Sequence, residues 1–287
     1  MAQTTSVDHI VKISGGVVAL MLLGWMFLSY RYFDAPAVGC MDAYAHSARF
    51  DLQSDDGLPL SMIELQARAG QGELGLMQNA SVVNLDNGPS AAALEIKLGR
   101  ADSSNAASPV GVHFAWRPVG IVDARSACLR YSVRLPDRFD FTSGGMLPGF
   151  FGGATPDRSA LADDKSFAMR LHWTKEAGLV LFAQSKALGE SGQRVVSRVK
   201  DLRLKTGSWL TIEQELVLNT AKANNSQLKV WVDGKLVTLA KGFKIREDDG
   251  LLIDGVAATV AFDGSARDTP SDARGSMQIT PIEIGWR

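Results

Sequence analysis

"FDFTSGGMLPGFFGGA", residues 139–154, holds five glycines, four phenylalanines, one proline and one methionine. It is too rich in glycine for a helix interior and too apolar for an ordinary surface loop. The runs on either side alternate. In "CLRYSVRLP" (128–136), Leu129, Tyr131, Val133 and Leu135 share one face of a period-two strand, and Arg130, Ser132 and Arg134 share the other. In "SFAMRLHW" (166–173), Phe167, Met169, Leu171 and Trp173 oppose Ala168, Arg170 and His172. The stretch between them is expected to be a tight strand-connecting segment that brings backbone close to a groove. Phe150 and Phe151 are expected to anchor it in the core.

The same pattern extends along the chain. "SVVNL" (81–85), "AALEIKL" (92–98), "GVHFAW" (111–116), "GLVLFAQS" (178–185), "LTIEQELVLN" (210–219) and "GVAATVAF" (255–262) are strand-length runs broken by Gly, Asn, Asp and Pro. In "QLKVWVDGKLVTL" (227–239), Asp233-Gly234 marks a hairpin. Short strands without amphipathic helices between them predict an all-β sandwich. If the 128–136 and 166–173 strands are neighbours in one curved sheet, Arg130, Arg134, Arg170 and His172 would line a basic groove; the alternative is a solvated outer face.

The N-terminus differs. Residues 13–30, "ISGGVVALMLLGWMFLSY", carry no charge between Lys12 and Arg31, a length suited to a single transmembrane helix. A cleaved signal peptide, with "APA" at 35–37, and a lipoprotein site at Cys40 are the rivals; the length of the run favours an uncleaved anchor. The expected organisation is a tail (1–12), the anchor (13–30), a tether and entry segment (31–59) and a sandwich (60–287).

Among 287 residues the formal net charge is -1, which gives no electrostatic reason to expect a nucleic-acid partner. The two cysteines, Cys40 and Cys128, either pair outside the cytoplasm or remain two free thiols. No spacing suggests zinc, a P-loop, a dinucleotide fingerprint or a nucleophile elbow, and no metal or cofactor is expected. His46 and His113 are expected to be structural or surface residues, and "LADDKS" (161–166) and "REDDG" (246–250) solvated turns.

Four stretches in order, "LRYSVRLPDRFDFTSGGMLPGFFGG" (129–153), "FAMRLHW" (167–173), "GSWLTIEQELVLNT" (207–220) and "LKVWVDGKLV" (228–237), resemble polysaccharide lyase family 14, the alginate and glucuronan lyases. The resemblance implies a jelly-roll β-sandwich of antiparallel sheets and an acidic, uronate-containing polysaccharide as partner. It also implies β-elimination, in which a group neutralises the carboxylate, a base takes the C5 proton and an acid protonates the leaving oxygen. The family sets a lysine within Gly-Gly-Lys-Leu-Pro-Gly, a Ser-x-Arg pair on the next strand and two tyrosines at i and i+2 on the one after. Those positions carry Met146, Ala168 with Arg170, and Phe182 with Gln184 here. Only the arginine, suited to a two-pronged contact with a carboxylate, is retained. Three readings follow. The first is an anchored, extracytoplasmic lyase-like domain that binds or helps process an acidic exopolysaccharide without elimination. The second is an active enzyme with a rewired site, His172 serving as base with help from Arg130, Arg134 or Tyr131. The third is a protein-binding assembly component.

Overall fold

A computed structural model of the protein describes residues 21–22, 24–25, 39–70, 72–99, 111–154, 165–189, 191–199, 202–262 and 274–287. The chain divides into two units, Met1–Val38 and Gly39–Arg287. In the first, Met21, Leu22, Gly24 and Trp25 are helical; the tail at 1–12 and the rest of the apolar run lie outside the described residues. Among the described residues no helix is long and apolar enough to cross a membrane.

The second unit contains β1 (His46–Phe50), β2 (Ala80–Asn84), β3 (Ala92–Gly99), β4 (Val112–Trp116), β5 (Ser126–Arg134), β6 (Gly145–Gly153), β7 (Ser166–Trp173) and β8 (Leu179–Gln184). There follow β9 (Gln193–Arg198), β10 (Trp209–Val217), β11 (Ser226–Val232), β12 (Lys235–Phe243), β13 (Gly255–Phe262), β14 (Arg274–Ile279) and β15 (Ile282–Trp286). A nine-stranded antiparallel sheet has the order β12-β11-β10-β5-β14-β3-β2, with β15 also pairing to β5 and β1 to β15. A six-stranded sheet has the order β4-β13-β6-β7-β8-β9. The compact unit begins at Gly39, so residues 39–59, read from sequence as tether and entry, are structured and include β1. The Asp233-Gly234 hairpin joins β11 to β12, both turn residues having positive φ (48° and 75°), as a primed turn demands.

Both alternating strands place their apolar faces inward. Leu129, Tyr131, Val133 and Leu135 of the β5 run, and Phe167, Met169, Leu171 and Trp173 of β7, all belong to the core between the sheets. The glycine-rich stretch differs from expectation, because residues 145–153 are not a connector. They form β6, a central strand between β13 and β7. Glycine is a poor strand former in isolation, and here packing requires it. A Cβ at Gly145 would overlap the Trp173 indole, and one at Gly149 would overlap the Met169 carbonyl oxygen and crowd the Arg170 backbone. Phe150 enters the core as expected, whereas Phe151 is buried on the opposite face under the Arg117 guanidinium, 4.6 Å from its ring centre.

Between Leu147↔Leu171 and Phe150↔Met169, two β6 residues, Pro148 and Gly149, face one β7 residue, Arg170. This is a β-bulge, and it puts proline where no ladder N–H is needed. The Pro148 carbonyl accepts from Tyr131 Oη (3.1 Å) and Gln214 Nε2 (2.8 Å), and Gln214 Nε2 also donates to Tyr131 Oη (3.1 Å). These donors stand on β5 and β10, so the network bridges the two sheets through the core. Burial pushes the Tyr131 phenol far above its ordinary value and keeps it a neutral donor.

On the outer face of the nine-stranded sheet, Cys40 is disulfide-bonded to Cys128 of β5. Met41, Tyr44 and Trp231 pack with that bridge as a small apolar cluster. The Met41 amide donates to Glu213 (3.1 Å), and Tyr44 Oη to Glu215 (3.1 Å). Burial pushes the Tyr44 phenol up to about 12, with the nearby Glu215 carboxylate acting in the same direction. The "REDDG" run is less solvated than expected: Arg246 is buried, donating to the Asn219, Asp249 and Leu251 carbonyls and pairing with the Asp249 carboxylate.

Gly149→Ala is expected to destabilise the sandwich by about 3 kcal/mol or more, because a methyl must displace β7 backbone in a close-packed sheet. Chemical denaturation checks it; a loss below about 1 kcal/mol would refute the packing account of this glycine.

Candidate functional site

The outward face of the six-stranded sheet is where six of the sequence-predicted residues meet, Met146, Ala168, Arg170, His172, Phe182 and Gln184. Strand register sets Met146 of β6 opposite His172 of β7, Arg170 opposite Phe182 of β8, and Ala168 between Phe151 and Gln184. Every second residue faces outward, so the alternation that sends Met169 and Leu171 into the core presents Ala168, Arg170 and His172 on this face. The floor around them is built of small residues, since Ala257 and Ala261 of β13 pair with Gly149 and Met146.

The face is polar and secluded. Arg170 is only 1% exposed, and Ala168, His172, Gln184 and Met146 are also buried; Phe182 is half-buried. Arg170 Nη1 donates to Gln184 Oε1 at 2.7 Å across one diagonal of the β7–β8 ladder. This bond fixes one arm of the guanidinium. The His172 ring packs on Phe182, with centroids 4.8 Å apart and planes at 39°. A cation with ordered donors, an imidazole and a hydrophobic rim are thus held together by three adjacent strands. The arginine can bind a planar carboxylate, and the imidazole offers a ring nitrogen as hydrogen-bond donor or acceptor.

Arg130 and Arg134 do not join this face. They stand on β5, in the nine-stranded sheet, and project from its outer side. Arg130 is paired with Glu283 of β15 (Nε to Oε2, 2.8 Å), and Arg134 lines a separate pocket with Glu95, Asp137 and Gln278. Tyr131 points into the core, with its phenol bonded to Pro148. The basic groove expected from sequence therefore divides, because β5 and β7 lie in different sheets. Alternation identifies residues that share a strand face; it cannot tell which sheet a strand joins.

Two contributors to the same face escape a reading by spacing. His113 of β4, read from sequence as a structural or surface residue, is buried there with its Nδ1 2.7 Å from Thr259 Oγ1 of β13. Arg117 follows β4, covers Phe151 and pairs with Asp254 at 3.1 Å. The one available signal was the outward parity of His113 in "GVHFAW", and it needs the β4–β13 pairing to have meaning. Among the described residues, the group with three metal-ligating side chains is Cys40, Cys128 and Glu213, on the other sheet. Its cysteines are joined to each other, so they offer no thiolate to a metal.

A family model described as Polysaccharide lyase 14 matches residues 87–277. The structure is similar to that of the marine PL-14 alginate lyase of Aplysia kurodai, with a TM-score of 0.67 and 21% identity over 85% of this chain and 99% of that one. An alginate lyase of a Chlorella virus gives a TM-score of 0.63 and 20% identity over 78% and 97%. An endo-β-1,4-glucuronan lyase of the fungus Trichoderma reesei gives 0.56 and 12% over 85% and 96%. No curated protein matches the chain in sequence.

Gln184→Leu removes the acceptor that holds Arg170 while preserving bulk, and is expected to cost about 1–3 kcal/mol of stability. Gln184→Glu supplies a charged acceptor and should recover most of that loss. Equal melting temperatures for wild type and the leucine variant would show that this bond does not organise the face.

Proposed function

The chain belongs to the polysaccharide lyase 14 family, and on that footing we propose that it binds an acidic, uronate-containing polysaccharide along β6, β7 and β8 without cleaving it by β-elimination. The observation that carries this reading is the buried Arg170, its guanidinium set by Gln184 on a face where Met146, Ala168 and Phe182 offer no ionisable group. A guanidinium fork neutralises a uronate carboxylate. Elimination requires in addition a group to remove the C5 proton and one to protonate the leaving oxygen. A domain with the first and without the others binds a chain, or presents it to a partner enzyme.

His172 favours one rival reading, an active lyase with a rewired site. Its imidazole lies two residues from Arg170 on the same face of β7, opposite Met146 and against Phe182. Incubation of the full chain with alginate, glucuronan and native exopolysaccharides separates the two. Binding without the ultraviolet absorbance of an unsaturated uronate product is expected, with affinity falling about tenfold in Arg170→Lys. Met146→Lys alone should not create elimination, since Ala168, Phe182 and Gln184 remain. Elimination by the wild type that vanishes in His172→Asn would establish the rival, and failure to bind any uronate polymer would remove both.

The proposal includes a single-pass anchor at residues 13–30, holding the sandwich in the periplasm or outside the cell. Its support is the uncharged run itself and the Cys40–Cys128 bond, a kind that persists in oxidising compartments. The full chain is expected in the membrane fraction, with both cysteines unavailable to a thiol reagent until reduced. Recovery as a soluble protein with two free thiols would overturn this part.

A further inference from the structure

A second groove lies away from the candidate site. It is bounded by the 202–208 segment and the β11–β12 hairpin, and encloses about 630 Å³. That volume falls within the range of about 300–1,000 Å³ typical of ligand sites. Its walls are of two kinds. Trp209, Leu210, Val232, Leu236 and Val237 make an apolar bed, with Trp209 half-buried and Leu236 37% exposed. Arg203, Lys205 and Lys235 supply exposed cations against one carboxylate, Asp233.

That carboxylate is already engaged, because Asp233 Oδ1 accepts the Thr211 amide at 2.9 Å and braces the hairpin. Among the described residues Arg203 reaches only the Glu176 carbonyl, at 3.4 Å. Among the described residues none of the three cations has an ion-pair partner. The groove therefore carries an excess of positive charge over an aromatic and aliphatic floor. A sugar ring presents an apolar C–H face to such a floor, and a carboxylate on each ring meets the cations at its rim.

We propose that this groove is a second, non-catalytic binding site for the anionic polysaccharide, engaging a stretch of chain distinct from that held by Arg170. The inference rests on the reading of the protein as a binder of uronate polymers. Its elements, β10 to β12 and the segment before them, contribute no residue to the β6–β8 face. Two sites on one domain make binding depend on polymer length, since a long chain engages both and a short oligomer only one.

The test uses the full chain, long and short oligouronates, and a neutral glucan as control. Arg203→Ala/Lys205→Ala/Lys235→Ala changes exposed side chains only, and equal melting temperatures verify its fold. At low ionic strength the triple variant is expected to bind the long polymer about tenfold more weakly than wild type and the shortest oligomers equally well, a contrast that fades as salt screens the charges. Lys205→Glu/Lys235→Glu should deepen the loss. Unchanged affinity for the long polymer in both variants overturns the second site and leaves the β6–β8 reading standing. Absence of uronate binding by the wild type overturns both. Retention of a single-stranded oligonucleotide in preference to the uronate polymer assigns the groove to another ligand and also overturns the proposal.

Discussion

The carbonyl of Pro148 is the point on which the two sheets agree. It projects into the core from a central strand of one sheet and receives hydrogen bonds from Tyr131 and Gln214 of the other. An unpaired carbonyl in a dry interior is costly, whereas two donors aimed at it define how far the sheets can slide. The bulge that exposes this carbonyl is also what seats two β6 residues opposite Arg170. The inward polar network and the outward arginine are thus two faces of one backbone irregularity. A core held only by apolar contacts would tolerate small shifts of β6, and the register of Met146 with His172 would shift with it.

The two outer surfaces are organised by different physics. On the six-stranded sheet, close backbone approach demands glycine and alanine, and the larger polar side chains stand on that low floor. On the nine-stranded sheet, the outward residues are consumed by one another: Arg130 by Glu283, Lys229 by Glu215, and Cys128 by Cys40. One face keeps an arginine steered by the neutral amide of Gln184. The other pairs charges locally around β5 and β10, where Cys40, Met41 and Tyr44 cap it, and keeps exposed cations at its β11–β12 end.

Much of the fold was legible before any coordinates. Period-two alternation assigned the inward residues of β5 and β7 correctly because burial on one side of a sheet imposes that period directly. Asp233-Gly234 marked its hairpin because the turn's positive φ angles select those residues. The glycine-rich strand was not legible as a strand. The reason for Gly145 and Gly149 lies in Trp173 and Met169, remote side chains and backbone that a local reading does not see. For the same reason Arg130 and Arg134 were grouped with Arg170, since strand partners are set by topology. β1 and β15, which pair with each other, are five residues each, too short for a decisive pattern, and β1 buries only Phe50. The pairing of Cys40 with Cys128 stayed open because a segment that reads as a flexible tether packs against the sheet.

The bridge between Cys40 and Cys128 has a mechanical meaning. Tension applied to the chain ahead of Gly39 would, in a non-covalent arrangement, peel the 41–45 segment and then unzip β1 from β15 one hydrogen bond at a time. The covalent link diverts that load at residue 40 into β5, which pairs with β10, β14 and β15 in the interior of the nine-stranded sheet. A pull there must shear several strands together, a geometry far stiffer than unzipping. A domain that gripped a polymer on one side and was tethered on the other, as proposed, would be loaded in this way whenever the polymer moved, and the load would pass into β5 rather than β1.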